Sequence, residues 1–275
     1  MREFYSVRNG RNRNLEGFSL DTIKGLFLDL YKEMRDDGFF DEYLGSYCVD
    51  QGQMPGLVKS PALDLMLKVR TDGLWPIEDK AQLYNEDDFF DVIEYLFTCV
   101  SKPVDGTHHY FNDCGMHWET FNKAEGEKQY VHKINGLLAL YTERFELSSE
   151  GELLKAAENG FQSIFDADMP TDDTKIKERI DSAILRYRRH GSSIDDRRQA
   201  VRDLADVLEY LRPKMKGVLD SKDESDLFNI ANNFGIRHHN SSQKTTYDAA
   251  LWLSWMFYFF LATIHVVLRR SRFQG

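Results

Sequence analysis

The sequence contains little cysteine and has no apolar segment near its start, and each shortage excludes a class of protein. There are three cysteines among 275 residues, Cys48, Cys99 and Cys114, which are too few and too scattered for a disulfide framework. The basic residues at the start are not followed by the apolar stretch of a secretory signal. We therefore expect an intracellular protein in the reducing cytoplasm.

The composition also lacks the polar bias of a disordered chain. Hydrophobic residues make up 42% and aromatic residues 13% of the sequence, which favours an ordered globular protein. At 275 residues the chain exceeds the usual size of one domain, so we expect two compact units. The polar, proline-containing residues 170–173 predict the boundary, with units at 1–170 and 171–275.

The two halves of the chain carry opposite net charge. Residues 1–174 contain 17 Lys and Arg against 33 Asp and Glu, whereas residues 175–275 contain 18 against 12. This pattern predicts a C-terminal unit that faces a polyanion and an acidic N-terminal unit that senses or regulates. The alternative is two solvated surfaces of different composition that have no such partner.

Apolar residues recur at three- and four-residue intervals along most of the chain, which predicts a mainly α fold. In the N-terminal unit the predicted helices are 19–36, 60–69, 87–100 and 125–141, and residues 144–154 are a minor β-hairpin. In the C-terminal unit the predicted helices are 172–189, 193–211, 221–234 and 248–269. Pro213 is expected beyond the second of these, and Ser221 is expected to cap the third. Four helices with mostly short connections predict an up-and-down bundle.

The last predicted helix contains a long run without charge. Ala249–Leu268 has twenty residues with no formal charge and is followed by Arg269 and Arg270, which is long enough to cross a bilayer. Polar residues fall along this run, and the other three helices each need an apolar partner. We predict a buried core helix, with a membrane anchor as the alternative.

The loop predicted between residues 102 and 122 contains candidate metal ligands. It contains His108, His109, Cys114 and His117, and zinc takes imidazole and thiolate ligands. Cys114 and His117 are three residues apart, but the loop has no second pair with the spacing of a zinc motif. We predict an aromatic loop packed on its domain, and a structural zinc site is the alternative.

The chemistry of the C-terminal unit is predicted to lie just before its last helix. Arg237, His238 and His239 follow one another there, and the supporting polar residues are Asn229, Asn233 and Asn240. An imidazole can remove the proton of an RNA 2′-hydroxyl, and a guanidinium can stabilise charge on the phosphate that this oxygen attacks. These groups are sufficient for RNA cleavage without a metal or any other cofactor. The alternative is a structural polar network that joins the loop to the bundle.

A second basic cluster precedes this segment. It consists of Arg186, Arg188, Arg189, His190, Arg197 and Arg198. Arg186 and His190 have a helical spacing that would also suit a catalytic pair. Because other arginines surround that pair, we predict that the cluster is an RNA-binding surface.

Several segments resemble known families. FYSVRNG, DCGMHWETF and the stretch from LADVLEYL to NFGIRHHN are similar to AbiJ-type abortive-infection proteins. The four-helix unit with Arg and His between its last two helices resembles the HEPN superfamily. This resemblance implies an antiviral-defence endoribonuclease that acts as a homodimer with its two motifs facing each other, together with a possible regulatory protein partner.

The sequence departs from the HEPN pattern in one respect. That pattern has a His a few residues after the Arg, but residues 241–244 contain no His. The resemblance therefore implies that His238 or His239 acts as the base. If neither does, the unit is a non-catalytic module that binds RNA or a protein.

Overall fold

The protein is mainly helical, as the sequence predicts. The computed structural model describes residues 4–11, 17–157, 161–165, 167, 169–234, 236 and 248–272. Within these ranges the strands form three small two-stranded sheets. The chain divides into two compact units, Met1–Leu154 and Lys155–Gly275. This division precedes Pro170 because Ile164, Phe165 and Met169 pack with the hydrophobic core of the second unit.

The elements are labelled in chain order. The helices of the first unit are α1 (Tyr5–Arg8), α2 (Leu20–Asp36), α3 (Asp41–Leu44), α4 (Pro61–Val69), α5 (Ile77–Lys80), α6 (Glu86–Cys99) and α7 (Lys123–Leu138). The strands are β1 (Ser46–Cys48), β2 (Gly52–Met54), β3 (Lys102–His109), β4 (Gly115–Asn122), β5 (Phe145–Leu147) and β6 (Leu153–Lys155). Short 3₁₀ turns lie at Ala81–Leu83 and Phe111–Asp113. The remaining helices are α8 (Gln162–Phe165), α9 (Thr174–Arg188), α10 (Ile194–Met215), α11 (Ser221–Asn233) and α12 (Ala249–Arg272).

Helix α6 shows how local sequence sets the start of an element. The side chain of Asn85 accepts a hydrogen bond from the Asp88 backbone N–H at 2.8 Å. In return, the Asp88 carboxylate accepts one from the Asn85 backbone N–H at 3.2 Å. This reciprocal capping box satisfies two N–H groups that the helix itself cannot. The helix therefore begins at Glu86, just ahead of the predicted Asp87.

The first unit is held together by the apolar faces of α2, α6 and α7. The rings of Phe27 and Phe89 meet edge to face with their centroids 5.2 Å apart. Tyr130 is fully buried, and its hydroxyl donates to the carbonyl of Ile93 at 3.0 Å. A buried tyrosine with a satisfied hydroxyl adds packing area without the cost of an unpaired polar group.

The prediction of a loop at residues 102–122 is wrong. The segment is an antiparallel hairpin in which β3 pairs with β4, from Lys102 opposite Asn122 to His109 opposite Gly115. Most of its side chains on both faces are exposed or half-buried. The hairpin therefore lacks the alternation of apolar and polar residues by which a half-buried strand is recognised. The hairpin that the sequence predicts at residues 144–154 is confirmed, and β5 and β6 form it.

Helix α10 is the central helix of the second unit and packs against α9, α11 and α12. Its inward residues include Val201, Leu204 and Leu211, all fully buried. The prediction that Pro213 lies beyond the helix is wrong, because α10 continues to Met215. Met215 is fully buried, and burial of its side chain favours one more turn of helix despite the proline.

The cap of α11 also differs from the prediction. Asp220, not Ser221, is the capping residue, and its carboxylate accepts from the backbone N–H groups of Lys222 and Asp223, each at 2.9 Å. A carboxylate at this position also interacts favourably with the helix dipole.

Helix α12 is buried on one face only. Leu253, Phe257, Phe260 and Ile264 lie in the core of the second unit, and the ring of Phe257 stacks on Tyr187 at 3.9 Å between centroids. On the outer face, large apolar side chains remain exposed, namely Leu251, Trp252, Trp255, Phe259 and Val266. Among the described residues this is the one helix long and apolar enough to cross a membrane, with half of its apolar window buried. The choice between core helix and anchor stays a prediction.

Two glycines of α7 provide a matched test of its packing. A Cβ on Gly126 would lie 2.5 Å from the backbone nitrogen of Lys102 and 2.6 Å from the Cα of Ser101, whereas one on Gly136 would meet nothing within 4 Å. We expect Gly126→Ala to lower the free energy of unfolding by about 1–3 kcal/mol, because backbone must move to relieve the clash. Gly136→Ala should raise it by up to about 1 kcal/mol through helix propensity. Urea denaturation measures both, and equal effects of the two changes would contradict this packing.

Candidate functional site

The structure describes the surroundings of the predicted catalytic segment. Arg237, His238, His239 and Asn240 lie outside the described residues. The neighbouring described positions are Ile236 on one side and Asp248 on the other.

The two described asparagines of the predicted site lie on the solvent side of α11. Asn229 and Asn233 are exposed and one helical turn apart. The Nδ2 of Asn229 donates to Ser225 Oγ at 3.4 Å. Helix α11 ends at Asn233, one residue before the end predicted from the sequence.

Ile236 is fixed on α10 by an arginine that the sequence analysis did not single out. Arg202 Nε donates to the carbonyl oxygen of Ile236 at 2.6 Å, and Ile236 itself is fully buried. Gln199 lies one turn before, with its Nε2 donating to Asp203 Oδ1 at 2.9 Å. Arg186 of α9 reaches the other oxygen of Asp203 at 4.0 Å. A chain of polar contacts thus connects the basic end of α9 to the residue that precedes Arg237.

A sequence signal for this network exists, but it is weak. Gln199 and Asp203 are four residues apart, and Gln199 and Arg202 are three apart, which places them on one side of a helix. This side lies outside the apolar stripe of α10. Such spacings also occur on ordinary solvated helix faces, so the carbonyl of Ile236 could not be identified as the target.

The start of α12 lies close to the end of α11. The rings of Phe234 and Trp252 are 5.1 Å apart between centroids. Asp248 caps α12, with its Oδ1 accepting from the backbone N–H of Leu251 at 3.1 Å. The two attachment points of the predicted catalytic segment therefore lie at the same end of the helical unit.

Most of the predicted RNA-binding cluster is accessible. Arg186, Arg189 and His190 are exposed. Arg197 and Arg198 are half-buried, with Arg197 placed 5.6 Å from the ring centroid of Tyr187. These side chains belong to the end of α9 and the start of α10. The cluster predicted from the sequence therefore lies around the connection between these two helices.

Arg188 does not belong to that surface. Its exposed fraction is 6%, its Nε donates to the carbonyl of Lys155 at 3.1 Å, and its guanidinium lies 4.4 Å from the ring centroid of Phe165. A guanidinium buried in this way cannot reach a nucleic-acid strand while the unit is folded. The inclusion of Arg188 in the surface is therefore corrected: it joins α9 to the residues that precede it.

Arg198 and Arg202 lie one turn apart on α10 and allow a matched test of the anchor. Arg202→Ala removes a charged hydrogen bond to a buried carbonyl, so we expect it to lower the free energy of unfolding by about 1.5–3 kcal/mol. Arg198 pairs at 2.6 Å with Asp195, whose side chain is 89% exposed, so Arg198→Ala should cost less than about 0.5 kcal/mol. Urea denaturation of the full chain measures the difference. Similar losses for the two variants would contradict a special role for Arg202.

The first unit contains a separate cleft with a volume of about 950 Å³. Its walls include Trp75, Trp118, Arg35, Asp41 and Cys114. Burial raises the pKa of Asp41 from 3.8 to about 6, although the nearby charge of Arg35 acts in the opposite direction. A partly desolvated carboxylate between aromatic walls is typical of a ligand site.

The raised pKa of Asp41 predicts a pH-dependent stability. Between pH 6 and 3.8 the folded state holds a proton that the unfolded state has lost, so stability rises as the pH falls. At pH 7.5, Asp41→Asn should therefore raise the free energy of unfolding by about 1–2 kcal/mol, and this gain should shrink below pH 6. Asp37→Asn, a change at an exposed residue, is the control and should have little effect. A gain that does not change with pH would contradict the assignment.

A cluster of metal-ligating side chains lies beside this cleft. Cys48, His109, Cys114 and His117 each offer a ligand atom, and these four atoms all lie within 4.8 Å of one another. Three of them were candidates from the sequence, and Cys48 was missed. His108, the fourth sequence candidate, is exposed and packs its ring 4.2 Å from that of Tyr110.

No family model, curated protein or solved structure matches the chain. The resemblance to HEPN and AbiJ proteins therefore stays a prediction.

Proposed function

We propose that the second unit is an HEPN-like helical bundle that cleaves RNA in antiviral defence by abortive infection. The observation that carries the proposal is the 2.6 Å hydrogen bond from Arg202 to the carbonyl of Ile236. It anchors the entrance to the Arg237–His239 segment on the helix that also carries Arg197 and Arg198. The net positive charge of residues 175–275 supports a polyanion as the substrate.

The proposed reaction needs only side chains of this chain. His238 or His239 removes the 2′-hydroxyl proton, and the resulting oxygen attacks the adjacent phosphorus. The bond from phosphorus to the 5′-oxygen breaks, and that oxygen takes a proton from the histidine that did not act as the base. Arg237 stabilises the charge that develops on the phosphate oxygens. The products are a 2′,3′-cyclic phosphate and a 5′-hydroxyl, with no cofactor consumed.

The remaining parts of the proposal concern assembly and control. Two copies of the chain would face each other across their catalytic segments, as the HEPN resemblance implies. The acidic first unit, with its aromatic cleft beside Asp41, would regulate the nuclease or receive its trigger, in the cytoplasm. A regulatory protein could act at the same unit.

A second candidate is a non-catalytic module that binds RNA or a protein. The observation that favours it is the polar network itself: Gln199, Arg202 and Asp203 make contacts within the unit. A structural role requires that polar side chains make their hydrogen bonds within the protein, as these do. In this case the exposed Arg186 and Arg189 would bind phosphates without any cleavage.

The two candidates differ in what they predict for RNA. Full-length protein in buffer without added divalent ions should convert single-stranded RNA to fragments with 2′,3′-cyclic phosphate ends. The same RNA with 2′-O-methyl groups at every position should stay intact, because it lacks the nucleophile. Arg237→Ala, and His238→Ala combined with His239→Ala, should each reduce the rate by about 100-fold or more. Arg212→Ala is the control, since Arg212 lies in the last turn of α10 and pairs with Glu224 of α11.

The results of these RNA experiments distinguish the two candidate functions. Wild-type protein that binds RNA in a salt-dependent way but leaves it intact would support the second candidate and exclude the first. In that case Arg186→Ala and Arg189→Ala should each reduce the salt slope of binding by about one. A protein that neither cleaves nor binds RNA would overturn both candidates.

A further inference from the structure

We propose that Cys48, His109, Cys114 and His117 bind one structural Zn²⁺ in the first unit. The four residues come from three chain segments: Cys48 ends β1, His109 ends β3, and the other two belong to the turn and strand that follow. Two thiolates and two imidazoles are a common ligand set for structural zinc. The proposal is independent of the ribonuclease, whose residues lie outside this unit.

The register of the hairpin explains why the two histidines converge. His109 lies opposite Gly115, and Thr107 lies opposite His117. Side chains alternate between the two faces of a strand, so residues 107 and 109 share a face with residues 115 and 117. The rings of His109 and His117 are accordingly 5.1 Å apart between centroids. His108 falls on the opposite face for the same reason.

The turn of the hairpin brings Cys114 to the same place. Asn112, Asp113 and Gly115 have positive φ values of 47°, 56° and 97°, a conformation that residues other than glycine seldom adopt. These left-handed residues fold the turn tightly around Cys114, which lies three residues before His117. Asn and Asp adopt this conformation more readily than other residues that carry a side chain, so the sequence of the turn suits its geometry.

Two of the distances between ligand atoms match those around a tetrahedral ion. Cys48 Sγ lies 3.8 Å from His109 Nδ1, and Cys114 Sγ lies 3.3 Å from His117 Nε2. Zinc at about 2.3 Å from sulfur and about 2.0 Å from nitrogen keeps such a pair roughly 3.5 Å apart. The two measured separations lie on either side of this value. With four protein ligands the coordination is closed, so the ion would be structural and not catalytic.

Asp50 contacts the ring nitrogen of His109 that does not face the other ligands. Its Oδ2 lies 3.2 Å from Nε2 of His109. A proton on Nε2 donated to this carboxylate leaves the lone pair of Nδ1 directed to the metal. Zinc-bound histidines usually have such a carboxylate or carbonyl partner, which fixes the tautomer and the ring orientation.

The two hairpins also need a source of stability other than apolar burial. No described residue of β1, β2, β3 or β4 belongs to the hydrophobic core of the first unit. A two-stranded hairpin without a hydrophobic face is at best marginally stable. Yet Cys48 has an exposed fraction of only 1%. A metal that joins β1 to the β3–β4 hairpin accounts for both observations.

The experiment measures metal content and stability of the untagged full-length chain, purified without chelator. Elemental analysis should find about one zinc per chain. His109→Ala and Cys114→Ser should each reduce this to a small fraction, whereas His108→Ala, on the other face of the same strand, should retain the metal. Asp50→Asn keeps all four ligands and should raise the dissociation constant for Zn²⁺ by about 10- to 100-fold.

A second measurement covers the case in which ligand variants fail to fold. Wild-type protein stripped with chelator should unfold at a lower temperature and regain its melting temperature when Zn²⁺ is added. Titration with Co²⁺ should give the intense visible absorption of a tetrahedral site and a thiolate charge-transfer band. Protein that holds no zinc, shows no such bands and melts at the same temperature with or without Zn²⁺ would overturn the proposal. Equal zinc loss in His108→Ala would also overturn it.

These readouts do not depend on RNA cleavage. The metal ligands belong to Met1–Leu154, whereas the proposed nuclease residues are Arg237, His238 and His239. The zinc test can therefore fail while RNA cleavage is observed, and RNA cleavage can be absent while zinc is bound. The two proposals are thus tested separately.

Discussion

Burial of apolar side chains is the constraint on which the structure depends. Where a segment lacks such burial, polar contacts have to hold it in place. Each unit has its own cluster of buried residues, formed mainly by helices. The β1–β2 and β3–β4 hairpins have no described residue in these clusters, and Ile236 is the last described residue of its cluster before Arg237. At both places a specific polar contact holds the chain: the Cys and His cluster in one, and Arg202 in the other. These are also the two places where candidate chemistry lies.

Helices could be predicted from the sequence because the signals that define them are local. An apolar stripe predicts α2, and Ser60 followed by Pro61 predicts α4; both helices have the expected bounds, although neither Ser19 nor Ser60 makes a side-chain capping hydrogen bond. An apolar side chain every three or four residues needs no knowledge of its partner, since any core will serve. The misplaced end of α10 had a different cause, because burial of Met215 is a tertiary effect that a proline rule does not include.

The candidate sites were only partly predictable because their contacts cross long stretches of sequence. Cys48 lies 61 residues from His109, so a search for local zinc spacing finds Cys114 and His117 and stops there. The β3–β4 hairpin was hidden because neither of its faces is apolar. Arg202 reaches a backbone carbonyl 34 residues away, and a carbonyl carries no sequence identity. In each case the residue type was visible and its partner was not.

The cleft and the proposed zinc site share a wall, which connects stability to function in the first unit. Cys114 is a member of the metal cluster and also lines the cleft near Asp41. A carboxylate whose pKa is raised by burial lowers the stability of the fold near neutral pH, which is typical of a residue placed for binding. The other walls of the cleft include Tyr31, Phe39 and Phe40, which belong to the helical core. Metal binding at Cys114 would therefore fix one wall of the cleft against walls that the core already holds in place.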